Sequence, residues 1–381
     1  RHSVDKGVDL NEIQALYLGN FTNDFFAHQS HWGPIIADTI GLSPRPATRT
    51  EGACASSALA FREGVLAIAS GMYDMVLVGG VEQMSACTTE QVAEGLSLGT
   101  MPYEAQAGFT FPGIFGAVAT AYFDAYGTSR EQLMGVTIKS HHNAPFNPKG
   151  QIRLTIRELM EKKAVSLASK GKAVPQWNDE RDFLRDTSSN PMVAWPMHLF
   201  DCCPISDGGS CLLLVAAEAA SRFTDKPLYV AGIGQGSGRG FHASPEITSF
   251  EATRYAAREA YAMAGITSQD IQFAEVHDCF SIAEIIHTED LGFFAPGQGG
   301  HAANDKLTAR DGAIPINTSG GLKCKGHPVG ATGTSQMVEL WKQLRGEAGE
   351  RQIPQANLAR GLAHNLGGTG GTCTVTILER R

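Results

Sequence analysis

Glu51-Gly-Ala-Cys54-Ala-Ser-Ser-Ala-Leu-Ala-Phe-Arg-Glu-Gly-Val-Leu-Ala-Ile-Ala-Ser70 sets a cysteine among residues too small to shield it, at the mouth of a helical run. Over residues 55–70 the apolar positions Ala58, Leu59, Phe61, Val65, Leu66 and Ile68 go nearly all the way round, and only Arg62 and Glu63 carry charge. A helix apolar on every side belongs inside a large protein. Gly71 suits its C-terminal cap, and Met75-Val-Leu-Val78 reads as a buried strand behind it. Cys54 is then expected at the N-terminus of a buried helix, where free backbone N–H groups and the helix dipole stabilise a thiolate. A packed core thiol is the plainer reading, since free cysteine is among the most buried residue types. The rest of the chain decides between them.

Outward from this stretch, short β-branched runs alternate with helical ones, the signature of α/β architecture. Gly7-Val-Asp-Leu-Asn-Glu-Ile-Gln14 lines up without gaps on Gly265-Ile-Thr-Ser-Gln-Asp-Ile-Gln272, and the register extends to place Leu18-Gly19 on Val276-His277. Each copy is followed by a glycine-rich turn into a helix, at Cys54 in one and at Gly326-His327-Pro328 in the other. Each helix is expected to lead into another buried strand, residues 75–78 and 373–378. Two halves of like plan are expected, stacked with their buried helices back to back. In the second half a strand at 228–233 and a helix near 253–264 precede the shared stretch. The first half has only residues 1–6 there, so roughly 30 or more further residues are expected ahead of Gly7, given the length of a strand-plus-crossover unit.

Residues 128–200 differ in texture, with His141-His142-Asn-Ala-Pro-Phe-Asn-Pro148, lysines at 162, 163, 170 and 172, and a polar run at 178–190. They read as an inserted loop region over one face. The paired histidines lack a carboxylate or cysteine at ligand spacing, so no metal site is expected. Cys202, Cys203 and Cys211 read as packing residues. The expected division is an N-terminal half at 1–120, an inserted loop domain at 121–205, the end of the N-terminal half at 206–226, and a C-terminal half at 227–381.

Composition narrows the class. At 381 residues the chain has room for two or three domains. Charged residues are only 18%, below the usual ~25%, which fits a large interior and buried subunit contacts. Glycine is 43 of 381, about 11%, against the usual ~7%, which points to tight turns and close backbone approaches. A net charge of −8 argues against nucleic acid. No apolar run approaches the ~20 residues of a membrane span, and no signal peptide opens the sequence. Eight cysteines without CxxC spacing suggest reduced thiols in the cytoplasm rather than a disulfide framework. The terminal Leu378-Glu-Arg-Arg381 is not a peroxisomal address.

Four clusters stand where α/β proteins place active sites, at strand ends and helix starts. They are Cys54; Val276-His277-Asp278-Cys279-Phe280; Asn317-Thr-Ser-Gly320-Gly321 with Gly326-His327-Pro328-Val-Gly-Ala-Thr-Gly333; and Asn365-Leu-Gly367-Gly368-Thr-Gly-Gly371, a glycine loop before the last strand. Together they resemble the thiolase family across essentially the whole chain. Cys54-Ala-Ser fits the family's nucleophile motif, and Gly326-His327-Pro328 fits its second motif. Tyr122-Phe-Asp-Ala-Tyr-Gly-Thr-Ser129 and Asn147-Pro148 look like the stretch entering its loop domain. Most thiolases carry Asn-Glu-Ala-Phe where His277-Asp-Cys-Phe280 stands, and a second cysteine in a C-terminal Cys-x-Gly where Leu366-Gly-Gly368 stands. That exchange resembles the sterol-carrier-protein-2 type.

The resemblance implies a thiolase fold of two βαβ-type halves in a five-layer α-β-α-β-α sandwich. It implies acyl transfer to and from coenzyme A by Claisen condensation or its reverse, in lipid and fatty-acid metabolism, with no tightly bound cofactor. Cys54 is expected to hold the acyl group and Cys279 to do the acid/base work. His327 and a water held by His277 form one oxyanion hole, and the backbone of Cys54, Gly367 and Gly368 forms the other. Asn317, Gly320 and Gly321 are expected to touch substrate. A homodimer or tetramer, paired through the sheet near Cys54, is implied. The alternatives are a retro-aldol lyase working with a small acyl-CoA-binding partner protein, and a non-catalytic acyl-CoA-binding scaffold.

Overall fold

The computed structural model describes residues 7–381. One sheet contains β1 (Ala15–Gly19), β2 (Ala47–Thr50), β3 (Met75–Glu82) and, after a small hairpin of β4 (Met192–Ala194) and β5 (Met197–His198), β6 (Gly208–Val215), in the order β2-β1-β3-β6. The second contains β7 (Tyr229–Ser237), β8 (Phe273–Glu275), β9 (Arg360–Gly367) and β10 (Thr372–Glu379), in the order β7-β10-β9-β8. Between the sheets lie two helices of 14 residues, Ser56–Ala69 and Thr332–Arg345, in contact with each other. Helix Trp32–Thr39 packs on β1 and β2, and helix Glu251–Ala264 on β7 and β10. The result is the α-β-α-β-α stack expected of the chain.

The repeat is real down to single hydrogen bonds. Gln14 Oε1 accepts from the N–H groups of Asp74 and Met75, fastening the start of β3 to β1. Gln272 Oε1 accepts from the N–H groups of Ala359 and Arg360, fastening the start of β9 to β8. In both halves the first strand runs parallel to its partner, β1 with β3 and β8 with β9. Each central helix is entered through a 3-10 turn, Ala53–Ala55 and Val329–Ala331.

Three expectations change. The strand after the second central helix is β9, so the counterpart of β3 is β9 and not the 373–378 strand, which matches β6. Residues 365–367, expected in a glycine loop, close β9, and the turn is confined to residues 368–371. β9 escapes notice because it is buried along nearly its whole length and carries His364 and Asn365 rather than β-branched residues. Second, β7, which lacks a counterpart in the first sheet among the described residues and would sit centrally if the expected first-half strand paired in the middle of its sheet, is an edge strand. The expected segment ahead of Gly7 lies outside the described residues. Third, the Cys54 helix buries Ala58, Ala60, Phe61, Gly64 and Ala67 but leaves Leu66 44% exposed, so it is not covered on every side within one chain.

Residues 83–207, between β3 and β6, are mainly helical. Helix Phe111–Tyr126 starts with a Thr110 cap on the Gly113 N–H and Pro112 in its first turn, and ends at Gly127 with φ +63°. Helix Arg130–Asn143 buries Leu133, Met134 and Val136 and ends in His141-His142. His141 Nδ1 sits 2.8 Å from the Leu154 carbonyl, and His142 lies edge-on to Phe146.

Candidate active site

Both central helices point their N-termini at the same place. The Ala53–Ala55 turn carries Cys54, with Ala53 held at φ +50°. The residues before Val329 carry His327, whose N–H donates to Ser206 Oγ at 2.8 Å. The end of β8 brings His277. The sulfur of Cys54 and one ring nitrogen each of His277 and His327 lie within 4.8 Å of one another. The two imidazoles meet edge to face, centroids 5.0 Å apart. These three atoms also form a donor set suited to a borderline-soft cation such as zinc, whereas acyl transfer requires them free.

Cys279 stands beside the same centre. Its carbonyl accepts the Cys203 N–H at 2.9 Å, and the thiols of Cys54, Cys203 and Cys279 lie within electrostatic reach of one another. Phe280 packs against Phe115 with the rings tilted by 30° and centroids 4.7 Å apart. Phe115 in turn lines a narrow cleft of mixed character, with Phe241 and Phe250 on one hand and Arg239 and Glu251 on the other, that reaches Thr369 and Gly370. Gly367 and Gly368 are required by close approach: a Cβ at Gly367 would fall 2.1 Å from the Gly52 carbonyl oxygen, and Gly368 has φ +62° with its Cβ direction 2.4 Å from the Gly99 oxygen. That leaves the Gly368 N–H free to bond the Cys54 sulfur.

Asn317, Gly320 and Gly321 bond to and pack against the protein around the centre, and the Gly320 N–H donates to the Asn317 carbonyl at 3.0 Å. Asn317 Oδ1 accepts the Val276 N–H at 2.8 Å, and its Nδ2 donates to Glu284 at 2.9 Å. A Cβ on Gly321 would strike Asp278 Oδ2 at 2.1 Å, and the Leu322 N–H donates to Asp278 Oδ1 at 2.7 Å. This turn fixes the segment that carries His277 and Cys279.

Charge at the centre is set mainly by burial. The Cys54 thiol is pushed up to about 12, with Glu82 and Glu51 adding to the shift and the N–H groups of Gly368 and Cys54 opposing it. The helix terminus therefore contributes as expected but loses to desolvation, and the resting group is a thiol, not the thiolate read from the sequence. It needs a base. His327 supplies one: Thr332 Oγ1 lies 3.2 Å from the Pro328 carbonyl, to which it donates, so it accepts from His327 Nδ1–H at 2.7 Å. Burial, with His277 and Lys325 nearby, holds His327 neutral, leaving its Nε2 lone pair for the thiol. Burial also pushes the Cys279 thiol well above the usual thiol range.

Sequence reasoning gave no role to Ser206, Thr332, His364 and Asn365. Asn365 Nδ2 lies 3.1 Å from His277 Nδ1, and His364 Nδ1 accepts the His277 backbone N–H at 3.3 Å. Aligning β3 with β9 through the two glutamines is the one signal able to find the last pair.

The family model for the thiolase N-terminal domain matches residues 4–218, and that for the thiolase C-terminal domain-like fold matches 235–380. An acetyl-CoA acetyltransferase of Methanothermobacter thermautotrophicus is 42% identical over 379 residues, 99% of this chain and 91% of that one. Sterol carrier protein 2 of Oryctolagus cuniculus is 30% identical over 360 residues, covering 90% of this chain and 60% of that protein. Among solved structures, an Ltp2-ChsH2(DUF35) aldolase superposes with TM-score 0.76 at 22% identity, over 99% of this chain and 89% of that one.

Proposed function

The chain belongs to the thiolase family, and from that premise we propose that it makes or cleaves 3-ketoacyl-CoA through an acyl group carried on Cys54. It is an acyltransferase, with acyl-CoA as substrate. The observation that carries the assignment of roles is the meeting of Cys54, His277 and His327 within 4.8 Å, with Cys279 alongside.

In this reading His327 Nε2 takes the Cys54 proton as the sulfur attacks the thioester carbonyl. Coenzyme A then departs as the thiol with that proton, leaving acyl-Cys54. Until that proton leaves with coenzyme A, protonated His327 faces one developing oxyanion together with His277, and the N–H groups of Cys54 and Gly368 face the other. A Cys279 held as a thiol by burial is set to protonate the enolate released in cleavage. The thiolate this leaves is the base from which the reverse, condensing direction starts, taking the α-proton of the second acyl-CoA.

Finer points are proposals as well. Exposed Leu66 and the edge strand β2 beside Cys54 support pairing of two copies. A small acyl-CoA-binding partner protein draws support from the similar aldolase, which was solved together with ChsH2(DUF35). No helix among the described residues is long and apolar enough to cross a membrane. Placement in cytoplasmic lipid or fatty-acid metabolism rests on the unpaired cysteines and on the family. A lyase or an inert scaffold has no need of both thiols, and both are retained.

Cys54→Ala is expected to abolish thiolysis of acetoacetyl-CoA, a loss of about 10⁴-fold or more, as for other nucleophiles acting in a unit. Mass spectrometry of wild-type protein after acetyl-CoA should show one acetyl group on Cys54. An active alanine variant ends the assignment.

A further inference from the structure

His277 is buried and neutral, its pKa held down to about 3 by burial and by Lys325. It therefore carries a single ring proton. Its two neutral forms offer opposite things to Cys54 and a substrate oxygen: an N–H donor or a lone pair.

Two consecutive residues of β9 decide between them. The amide nitrogen of Asn365 lies 3.1 Å from His277 Nδ1, and an amide nitrogen only donates, so Nδ1 accepts and the proton sits on Nε2. The amide orientation has its own cause. Asn365 is buried, and its Oδ1 lies against Gly333 without a hydrogen-bond partner. As placed, the amide leaves this oxygen and one N–H without a partner; turned over, it would leave both N–H groups without one, and an orphaned buried N–H is tolerated less often than an orphaned carbonyl oxygen. His364 holds the other end of the residue. Its Nδ1 accepts the His277 backbone N–H, so its Nε2–H donates to Thr253 Oγ1 at 3.0 Å, and Thr253 donates on to Cys373 Sγ at 3.6 Å.

The first half of the molecule supplies an independent argument. On β1 and β3, Gly19 pairs with Gly80. Two residues past the Glu275–Ala363 pair of β8 and β9, the matching positions are His277 and Asn365. The scaffold needs no side chain at either place, so the pair is not there to hold the strands together.

We propose that Asn365, backed by His364, is a positioning residue that fixes His277 as an Nε2–H donor to the oxyanion. This rests on the thiolase reading. Asn365→Asp swaps the donor for a carboxylate acceptor of the same shape, which draws the proton to Nδ1 and turns a lone pair on the oxyanion. The expected loss is about 10²–10³ in kcat, that of one oxyanion donor, with KM changed less than about threefold. Activity of the variant should recover on acidification, as the carboxyl becomes a donor again, while the wild type should not.

Nitrogen NMR of ¹⁵N-histidine protein should show His277 as the Nε2–H form in the wild type and the Nδ1–H form in Asn365→Asp at neutral pH. This wild-type readout needs no variant to fold and no turnover. An Nδ1–H form in the wild type, or wild-type kcat in a folded Asn365→Asp protein, overturns the proposal. Failure of Cys54 to take up an acetyl group from acetyl-CoA would instead overturn the thiolase reading, leaving the tautomer measurement standing.

Discussion

The two halves share one plan and fill it in opposite ways. Gly19, Gly79 and Gly80 stand in the first half where His277, His364 and Asn365 stand in the second. The glycines have a use: a Cβ on Gly80 would lie 2.1 Å from the Gly330 oxygen, and one on Gly19 2.3 Å from Ser57. The first half is pared to backbone so that the opening turns of both central helices can press against it, the first at Gly19 and the second at Gly80. The second half uses the same positions for an oxyanion donor and the two side chains that orient it. A duplicated scaffold thus separates the nucleophile from its chemistry partners, and the two meet only because the central helices start side by side.

The sharpest way to break this contrast is to take the proton carrier from the second half while leaving the first untouched. Cys279→Ala should lose about 10³–10⁴ in thiolysis and condensation, the span of a general acid/base. It should still release about one equivalent of coenzyme A per site from acetyl-CoA, because acylation needs only Cys54 and His327. Stopped-flow detection of free thiol separates the two steps. Loss of the burst together with turnover would put Cys279 in acylation and erase the division of labour.

Next comes the bare half. Gly80→Ala should destabilise by about 3 kcal/mol or more, since the added methyl meets a backbone oxygen that has little room to shift. Asn365→Ala, at the matching position, should unfold within about 1–2 kcal/mol of wild type, the cost of one buried hydrogen bond, while losing activity. Chemical denaturation of the two variants side by side tests whether the halves differ as claimed. Equal losses of stability would mean that Asn365 is as structural as Gly80.

Much of this arrangement is legible in the sequence. Gln14 and Gln272 reveal the repeat because each performs the same capping duty, and a duty with fixed geometry preserves residue type. Cys54, His277, Cys279 and His327 stand out because they lie at strand ends and helix starts, where the chain must turn and glycine marks the turn. His364 and Asn365 do not. They sit inside a strand that lacks β-branched residues, and a polar pair beside Gly367-Gly368 reads as loop until the register with β3 is known. The resting charge of Cys54 is also beyond reach: a helix terminus is visible in sequence, but the depth of burial that outweighs it is not.

Glu82, at the end of β3, tests the seam between the halves more gently. Its carboxylate accepts backbone N–H groups from Phe21, Thr22 and, across the seam, Gly330, at 2.8, 3.2 and 3.0 Å, and the Asn20 side-chain amide at 3.0 Å. Burial nevertheless lifts its pKa from 4.5 to about 7 against those bonds. The unfolded chain releases this proton near 4.5 and the folded chain near 7. Between those values the folded state binds more protons, so this group's stabilisation is full below about pH 4.5 and falls as pH rises towards 7. Glu82→Gln removes the titration, and its amide hydrogens oppose donors already present, so the variant should be less stable throughout. The difference in unfolding free energy between wild type and variant should shrink from about pH 4.5 to about 7, by on the order of 1–3 kcal/mol. Urea midpoints measured across that range give the slope. A difference that stays constant would mean that the carboxylate is already ionised in the fold at about pH 5, its four donors outweighing burial.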